Sequence, residues 1–156
     1  MTMTLFYVAA SPYVRKVLAC AIARGIDGQI EAVPADPHSS PAELLAFNPL
    51  SKVPALITAD GRAIFDSPVI CEYLDTIGGA PVLFPPTGSG ARLDAQMRHA
   101  MGDGILDAAV GRRMAFVQRT QLNMPCDEGR QRYDARQKAA IDRTLTDQGQ
   151  VILLLN

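Results

Sequence analysis

Residues 5–16 read Leu5-Phe6-Tyr7-Val8-Ala9-Ala10-Ser11-Pro12-Tyr13-Val14-Arg15-Lys16, and the reading of this stretch decides the fold. Its apolar start, residues 5–8, has the length and content of a short buried strand. A hydroxyl residue followed by proline then marks the start of a helix. Ser11 suits the N-cap, where its side-chain oxygen accepts from an otherwise orphaned backbone N–H, and Pro12 suits the first helical position. Beyond it Val14, Val17, Leu18 and Ile22 recur at helical spacing until Gly25 stops the helix predicted over residues 12–24. Such a turn aims free N–H groups, a hydroxyl and the positive end of a helix dipole at one point, which suits an anion.

Working outward, residues 29–33 read as a second strand and residues 40–47 as a short helix with Pro41 in its first turn. Residues 54–58 form a third strand, and Asp60-Gly61 turns the chain into a fourth at residues 63–65. Ser67-Pro68 then repeats the N-cap and N1 pair of Ser11-Pro12, and Ile70, Tyr73, Leu74 and Ile77 supply the core-facing stripe of the helix that follows. The order β-α-β-α-β-β-α combines a parallel crossover with an antiparallel hairpin, hence a mixed sheet flanked by helices. Glycine or proline fills seven of the thirteen positions from 78 to 90, which marks a linker. Farther on the chain reads as helix only. Leu93, Met97, Met101 and Ile105 lie four apart, Val110, Met114 and Val117 extend an apolar side, and Met124-Pro125 interrupts. Residues 127–146 are a polar helix candidate, and residues 151–156 an apolar end in need of a partner surface.

The chain has 156 residues and a net charge of −1, with no basic block, so nothing favours nucleic acid or an anionic membrane surface as a partner. Apolar stretches are too short to span a bilayer, and the N-terminus has neither a basic region nor a long apolar run. The expected compartment is the cytoplasm. Cys20, Cys71 and Cys126 are widely spaced, and His38 and His99 stand alone, so no metal or redox motif is expected. Cys20 and Cys71 fall within amphipathic helices and read as buried, inert thiols.

Three segments in order, Ser11-Pro12-Tyr13-Val14-Arg15-Lys16, Asn48-Pro49-Leu50-Ser51-Lys52-Val53-Pro54 and Asp66-Ser67, closely resemble the soluble glutathione S-transferases, above all their bacterial serine- or cysteine-type members. The resemblance covers residues 4 to about 84 well, and residues 97–110 more loosely. It implies an α/β thioredoxin-like domain over residues 1–80 that binds glutathione as co-substrate, a linker over 81–90, and an all-α domain over 91–156. Where thioredoxin-like redox proteins carry a cysteine pair, this chain has Ser11 and Val14, so the resemblance implies a site that activates the thiol of a ligand. A thiol of pKa about 8.5 is mostly protonated at neutral pH, and an enzyme gains rate by lowering that value.

Each matched residue takes a role from the resemblance. Ser11 would donate its hydroxyl to the sulfur, with Tyr7 as the runner-up; the plain alternatives are an N-cap for Ser11 and packing for Tyr7. Val53-Pro54 matches a cis-proline turn whose Val53 backbone would pair with the cysteinyl backbone of glutathione as an added strand. Lys52 would meet the glycyl carboxylate, or is an ordinary solvated lysine. Ser67 would hold the γ-glutamyl carboxylate and Asp66 the ammonium, where relatives often have a longer glutamate or glutamine. Asp103 lies where relatives bring an acid across the dimer interface. Arg15 and Lys16 either raise the local positive potential or form a solvated face, and Arg112-Arg113 reads as surface charge.

The implied activity is that of a glutathione transferase acting on small electrophiles, with a homodimer as the expected assembly. The second domain departs from the family pattern: it lacks a helix that opens with a hydroxyl-x-x-Asp capping box, and a shortened C-terminal domain is expected. The competing class is a non-catalytic glutathione-binding or protein-interaction module of the same fold, such as the stringent starvation proteins that bind RNA polymerase. The full set of Ser11, Val53-Pro54 and Asp66-Ser67 argues for the enzyme, and the short second domain for the module.

Overall fold

Four strands, β1 (Met3–Tyr7), β2 (Ile30–Pro34), β3 (Ala55–Ile57) and β4 (Ala63–Ile64), make one sheet in the order β2-β1-β3-β4. The structure is a computed structural model, and it describes residues 2–122 together with residues 131, 132, 135, 136, 138, 139 and 142. β1 runs parallel to β2, with Leu5 opposite Ala32, while β1–β3 and β3–β4 are antiparallel, with Phe6 opposite Ala55 and Leu56 opposite Ile64. Helices α1 (Pro12–Ala23), α2 (Ala42–Phe47) and α3 (Ser67–Thr76) complete the β-α-β-α-β-β-α order, with a 3-10 turn at Asp27–Gln29 before β2. This is the thioredoxin-like arrangement expected from the sequence.

Strand pleating explains the near-continuous apolar run of β1. Met3 and Leu5 face a core shared with Val14, Val17 and Ala21 of α1 and Ile70 and Leu74 of α3. Phe6 points the other way, into a second core with Leu44 of α2 and Ala55, and its ring stacks on Phe47 with centroids 5.8 Å apart. A strand buried on both faces reads as apolar throughout instead of alternating. Ile22 of the expected apolar face is exposed, and Lys16 is buried, which removes the solvated-face alternative for that residue. The buried arc of the helix is centred on Val17, Cys20 and Ala21, so Lys16 falls one turn before Cys20 and Ile22 falls outside the arc.

The end of α1 is closed by two crossed hydrogen bonds. Gly25, at φ 68°, donates to Ile22 O at 2.9 Å, and Ile26 donates to Ala21 O at 3.0 Å. This is a Schellman cap, for which glycine is the residue of least strain. Beside it the linker is fastened by a charged clasp. Arg24 and Asp75 are only 3% and 7% exposed, and Arg24 Nε lies 3.3 Å from Asp75 Oδ1 without completing an aligned hydrogen bond, so the contact is ionic. The rest of the guanidinium donates to the carbonyls of Ile77, Gly78 and Ala80, while Asp75 accepts from the N–H groups of Leu83 at 2.7 Å and Phe84 at 2.8 Å. Gly78 is required here on two counts, a φ of 92° and a site where a Cβ would lie 2.7 Å from Arg24 O. Arg92 stacks over the Phe84 ring, 4.7 Å from its centroid, and pairs with Glu72.

The chain divides into two compact units, one covering Met1–Leu93 and the other starting at Asp94. α4 (Gly90–Gln121) is a long helix that buries Ala95, Ile105 and Leu106, whereas Leu93, Met97 and Met101 of the expected apolar stripe are 60%, 60% and 41% exposed. Among the described residues no strand follows residue 90, and residues 131, 132, 135, 136, 138, 139 and 142 are helical. The expected break at Met124-Pro125, Cys126 and the apolar end at 151–156 lie outside the described residues. No helix of the described residues is long and apolar enough to cross a membrane.

Candidate functional site

Sheet register brings the three sequence motifs to one edge. Phe6, near the end of β1, lies opposite Ala55 at the start of β3, and Leu56 lies opposite Ile64 at the end of β4. The turn after β1 carries Ser11, the turn into β3 carries Lys52, Val53 and Pro54, and the turn after β4 carries Asp66 and Ser67. All three therefore leave the sheet at the carboxyl end of β1. In open α/β sheets this is where ligands bind.

Ser11 is the N-cap of α1. Its Oγ accepts from Val14 N–H at 3.3 Å, and its own N–H donates to Val8 O at 3.0 Å. The residue is buried, and the cap uses a lone pair of the oxygen, which leaves the hydroxyl hydrogen for a second partner. Capping and donation are thus compatible roles for one side chain. Tyr7, four residues earlier, is half-buried and packs against the main core, and its carbonyl accepts from Ala35 at 2.9 Å. Arg15 is exposed on the outer side of α1.

The middle turn is shaped by a residue to which the sequence reading assigned no role. Asn48 is buried, its Nδ2 donates to Lys52 O at 2.8 Å and its Oδ1 accepts from Leu50 N–H at 3.0 Å. Ser51 takes φ 50°, with its hydroxyl donating to Pro37 O at 3.2 Å. The signal was present in Asn48-Pro49, since asparagine side chains mimic a backbone turn two residues on. Val53-Pro54 is cis, as the resemblance implies, and Pro54 is buried while the Lys52 side chain is exposed.

At the third turn the sequence reading needs a correction. The N-cap of α3 is Asp66, so Ser67 stands at N1 and Pro68 at N2, one place later than in the Ser11-Pro12 pair. Asp66 is exposed and its carboxylate makes no cap hydrogen bond, while Ser67 is buried, and the Phe65-Asp66 peptide is cis. The turn presents a carboxylate and the N-terminus of a ten-residue helix together. It offers recognition for a group that carries both charges, such as the ammonium and carboxylate of an amino acid.

The remaining candidates lie elsewhere. Asp103 sits on α4 with its Oδ2 3.5 Å from His99 Nε2, and Arg112 and Arg113 are exposed on the same helix. His38 is in the turn before α2, where its N–H donates to Asp36 Oδ1 at 3.0 Å.

Comparison with known proteins accords with this arrangement. The sequence pattern of the family described as "Glutathione S-transferase, N-terminal domain" matches residues 10–77. A protein of Escherichia coli (strain K12), "Uncharacterized GST-like protein YibF", is 37% identical over 102 residues, which is 64% of this chain and 48% of that protein. The chain thus spans about half the length of the curated relative it matches. A glutathione transferase family member from Pseudomonas fluorescens Pf-5, solved with bound glutathione, superposes with a TM-score of 0.76 at 32% identity, covering 93% of this chain and 69% of that one. A glutathione S-transferase from Methylobacillus flagellatus KT, solved with glutathione bound, gives a TM-score of 0.70 at 32% identity over 94% of this chain and 68% of that one.

Proposed function

The chain belongs to the soluble glutathione S-transferase family, and on that premise we propose that it binds glutathione at the carboxyl end of β1 and activates its thiol for transfer to a small electrophile. Ser11 donates its hydroxyl to the glutathione sulfur, and the first turn of α1 adds its N–H groups and dipole, so the thiolate is favoured over the thiol. The Val53 backbone pairs with the cysteinyl residue as an added strand. Ser67 and the start of α3 take the γ-glutamyl carboxylate, the Asp66 carboxylate takes the ammonium, and Lys52 meets the glycyl carboxylate. The observation that carries the proposal is the Ser11 oxygen, which caps α1 as an acceptor while keeping a proton to donate.

Retention on immobilised glutathione, release by free glutathione and conjugation of an aryl halide are the expected results for the purified chain. Retention without conjugation would identify a binding module instead of an enzyme. Ser67→Ala removes one charge-assisted hydrogen bond worth roughly 1.5–3 kcal/mol, so the glutathione Kd is expected to rise by about tenfold or more. An unchanged Kd by titration calorimetry would leave Ser67 a structural residue of α3. Tyr7→Phe is expected to be nearly silent in both binding and turnover, because Tyr7 packs against the core.

The proposed assembly is a homodimer through residues 91–120. Met97 and Met101 are two of the large apolar side chains that α4 leaves in solvent, and a soluble monomer rarely exposes such a row. Sedimentation is expected to give twice the chain mass of 16.8 kDa. A monomer at every concentration would overturn the dimer.

A further inference from the structure

Cys20 and Cys71 have no part in the scheme above, in which the reacting thiol belongs to the ligand. Both are reduced thiols, on the facing sides of α1 and α3. Cys20 Sγ donates to the Cys71 backbone carbonyl at 3.7 Å, which brings the two cysteines together across the helix pair. The surroundings are unusually charged for a core. Lys16 and Cys20 of α1 and its C-cap Arg24 follow one another at four-residue intervals, all buried, and Cys20 and Arg24 face Cys71 and Asp75, which stand at the same interval on α3. The Cys71 side chain draws the Cys20 thiol below its ordinary range, helped by Arg24 and Lys16 and opposed by burial and by Asp75. Two thiols brought together between basic side chains have the parts of a redox pair.

We propose that Cys20 and Cys71 are a modification site, closed to an intramolecular disulfide by a small hydroperoxide. Cys20 thiolate attacks one peroxide oxygen, the O–O bond breaks, and Cys20 becomes a sulfenic acid as the other oxygen leaves with a proton as water or alcohol. Cys71 sulfur then attacks the Cys20 sulfur. The S–S bond forms, the S–O bond breaks, and the hydroxyl leaves with the Cys71 proton as water. Two thiols are oxidised by two electrons and one peroxide is reduced. The residues are 5% and 4% exposed, so hydrogen peroxide fits the access better than a bulky disulfide. The crosslink ties α1 to α3, the two helices whose first turns carry Ser11 and Ser67.

The test uses the full reduced chain, treated with near-stoichiometric hydrogen peroxide, alkylated in denaturant and digested with trypsin without reductant. The expected product is a monomeric chain two hydrogens lighter, in which the peptides 17–24 and 63–92 are joined. Dithiothreitol should restore two alkylatable thiols, and Cys126→Ser should form the same link. Crosslinking two distant points of the chain should also raise Tm by several degrees. Any of three results would overturn the proposal: Cys20 and Cys71 still alkylated after Cys126 has reacted, Cys20 carried on to the sulfinic acid, or covalent dimers in place of the internal link. None of these readouts involves glutathione, so the outcome is independent of the function proposed above.

Discussion

Ser11→Ala is expected to lower kcat/KM for conjugation by about tenfold to a hundredfold while changing glutathione Kd far less. The hydroxyl matters most when the sulfur is ionised, and a hydrogen bond to a charged group contributes roughly 1.5–3 kcal/mol. The direct observable is the thiolate absorbance of bound glutathione as a function of pH. In the parent the bound thiol should titrate below its solution value, and in Ser11→Ala it should move back toward about 8.5. Ser11 also caps α1, and loss of a cap costs about 1 kcal/mol of stability, so a second variant is needed. Ser11→Asp keeps an acceptor for Val14 N–H but has no proton to give at neutral pH. It should preserve the melting temperature and still lose the activated thiolate. Identical thiolate titrations in parent and Ser11→Ala would remove Ser11 from the mechanism.

Arg24→Ala should be the most destabilising single change in the first unit. It leaves the Asp75 carboxylate buried without its cation, and it deprives the carbonyls of Ile77, Gly78 and Ala80 of their donors. Removing one partner of a buried ion pair costs about 3–5 kcal/mol, a large share of the roughly 5–15 kcal/mol that holds a domain folded. A fall in Tm of more than about 10 °C is expected, since each kcal/mol shifts a domain of this size by roughly 4–8 °C. The double variant Arg24→Met with Asp75→Leu should recover only the part due to the stranded charge, because the carbonyls of Ile77, Gly78 and Ala80 and the N–H groups of Leu83 and Phe84 still lack their partners. A drop of only a degree or two in Arg24→Ala would mean that the clasp contributes nothing net.

Much of the candidate site was legible because its motifs are local. The Ser11-Pro12 dipeptide after an apolar strand specifies a cap by chemistry that acts within three residues, and the structure places the bond from Val14 N–H to Ser11 Oγ there. At Ser67-Pro68 the same dipeptide places the cap one residue late, at Ser67 instead of Asp66. Proline is tolerated anywhere in the first turn, where backbone N–H groups have no intrahelical acceptor, so Ser-Pro alone does not say which residue is the cap. Asn48 was quoted within a motif, yet its two hydrogen bonds depend on a loop conformation that composition does not reveal.

The sequence by itself determined the strand and helix order, the mixed sheet and the two helix starts that follow β1 and β4, because periodicity and capping are properties of short segments. Only the tertiary structure decided which side chains share an environment. Lys16 and Arg24 carry full charges, yet both are buried, Arg24 against Asp75 of α3. Cys20 and Cys71, fifty-one residues apart, come into contact across the same helix pair. Ile22 carries the right hydropathy for the core and stays in solvent. A helical stripe fixes which residues lie side by side, but burial belongs to the surface that a partner element covers, and that partner is chosen by sheet register over distances a local pattern does not span.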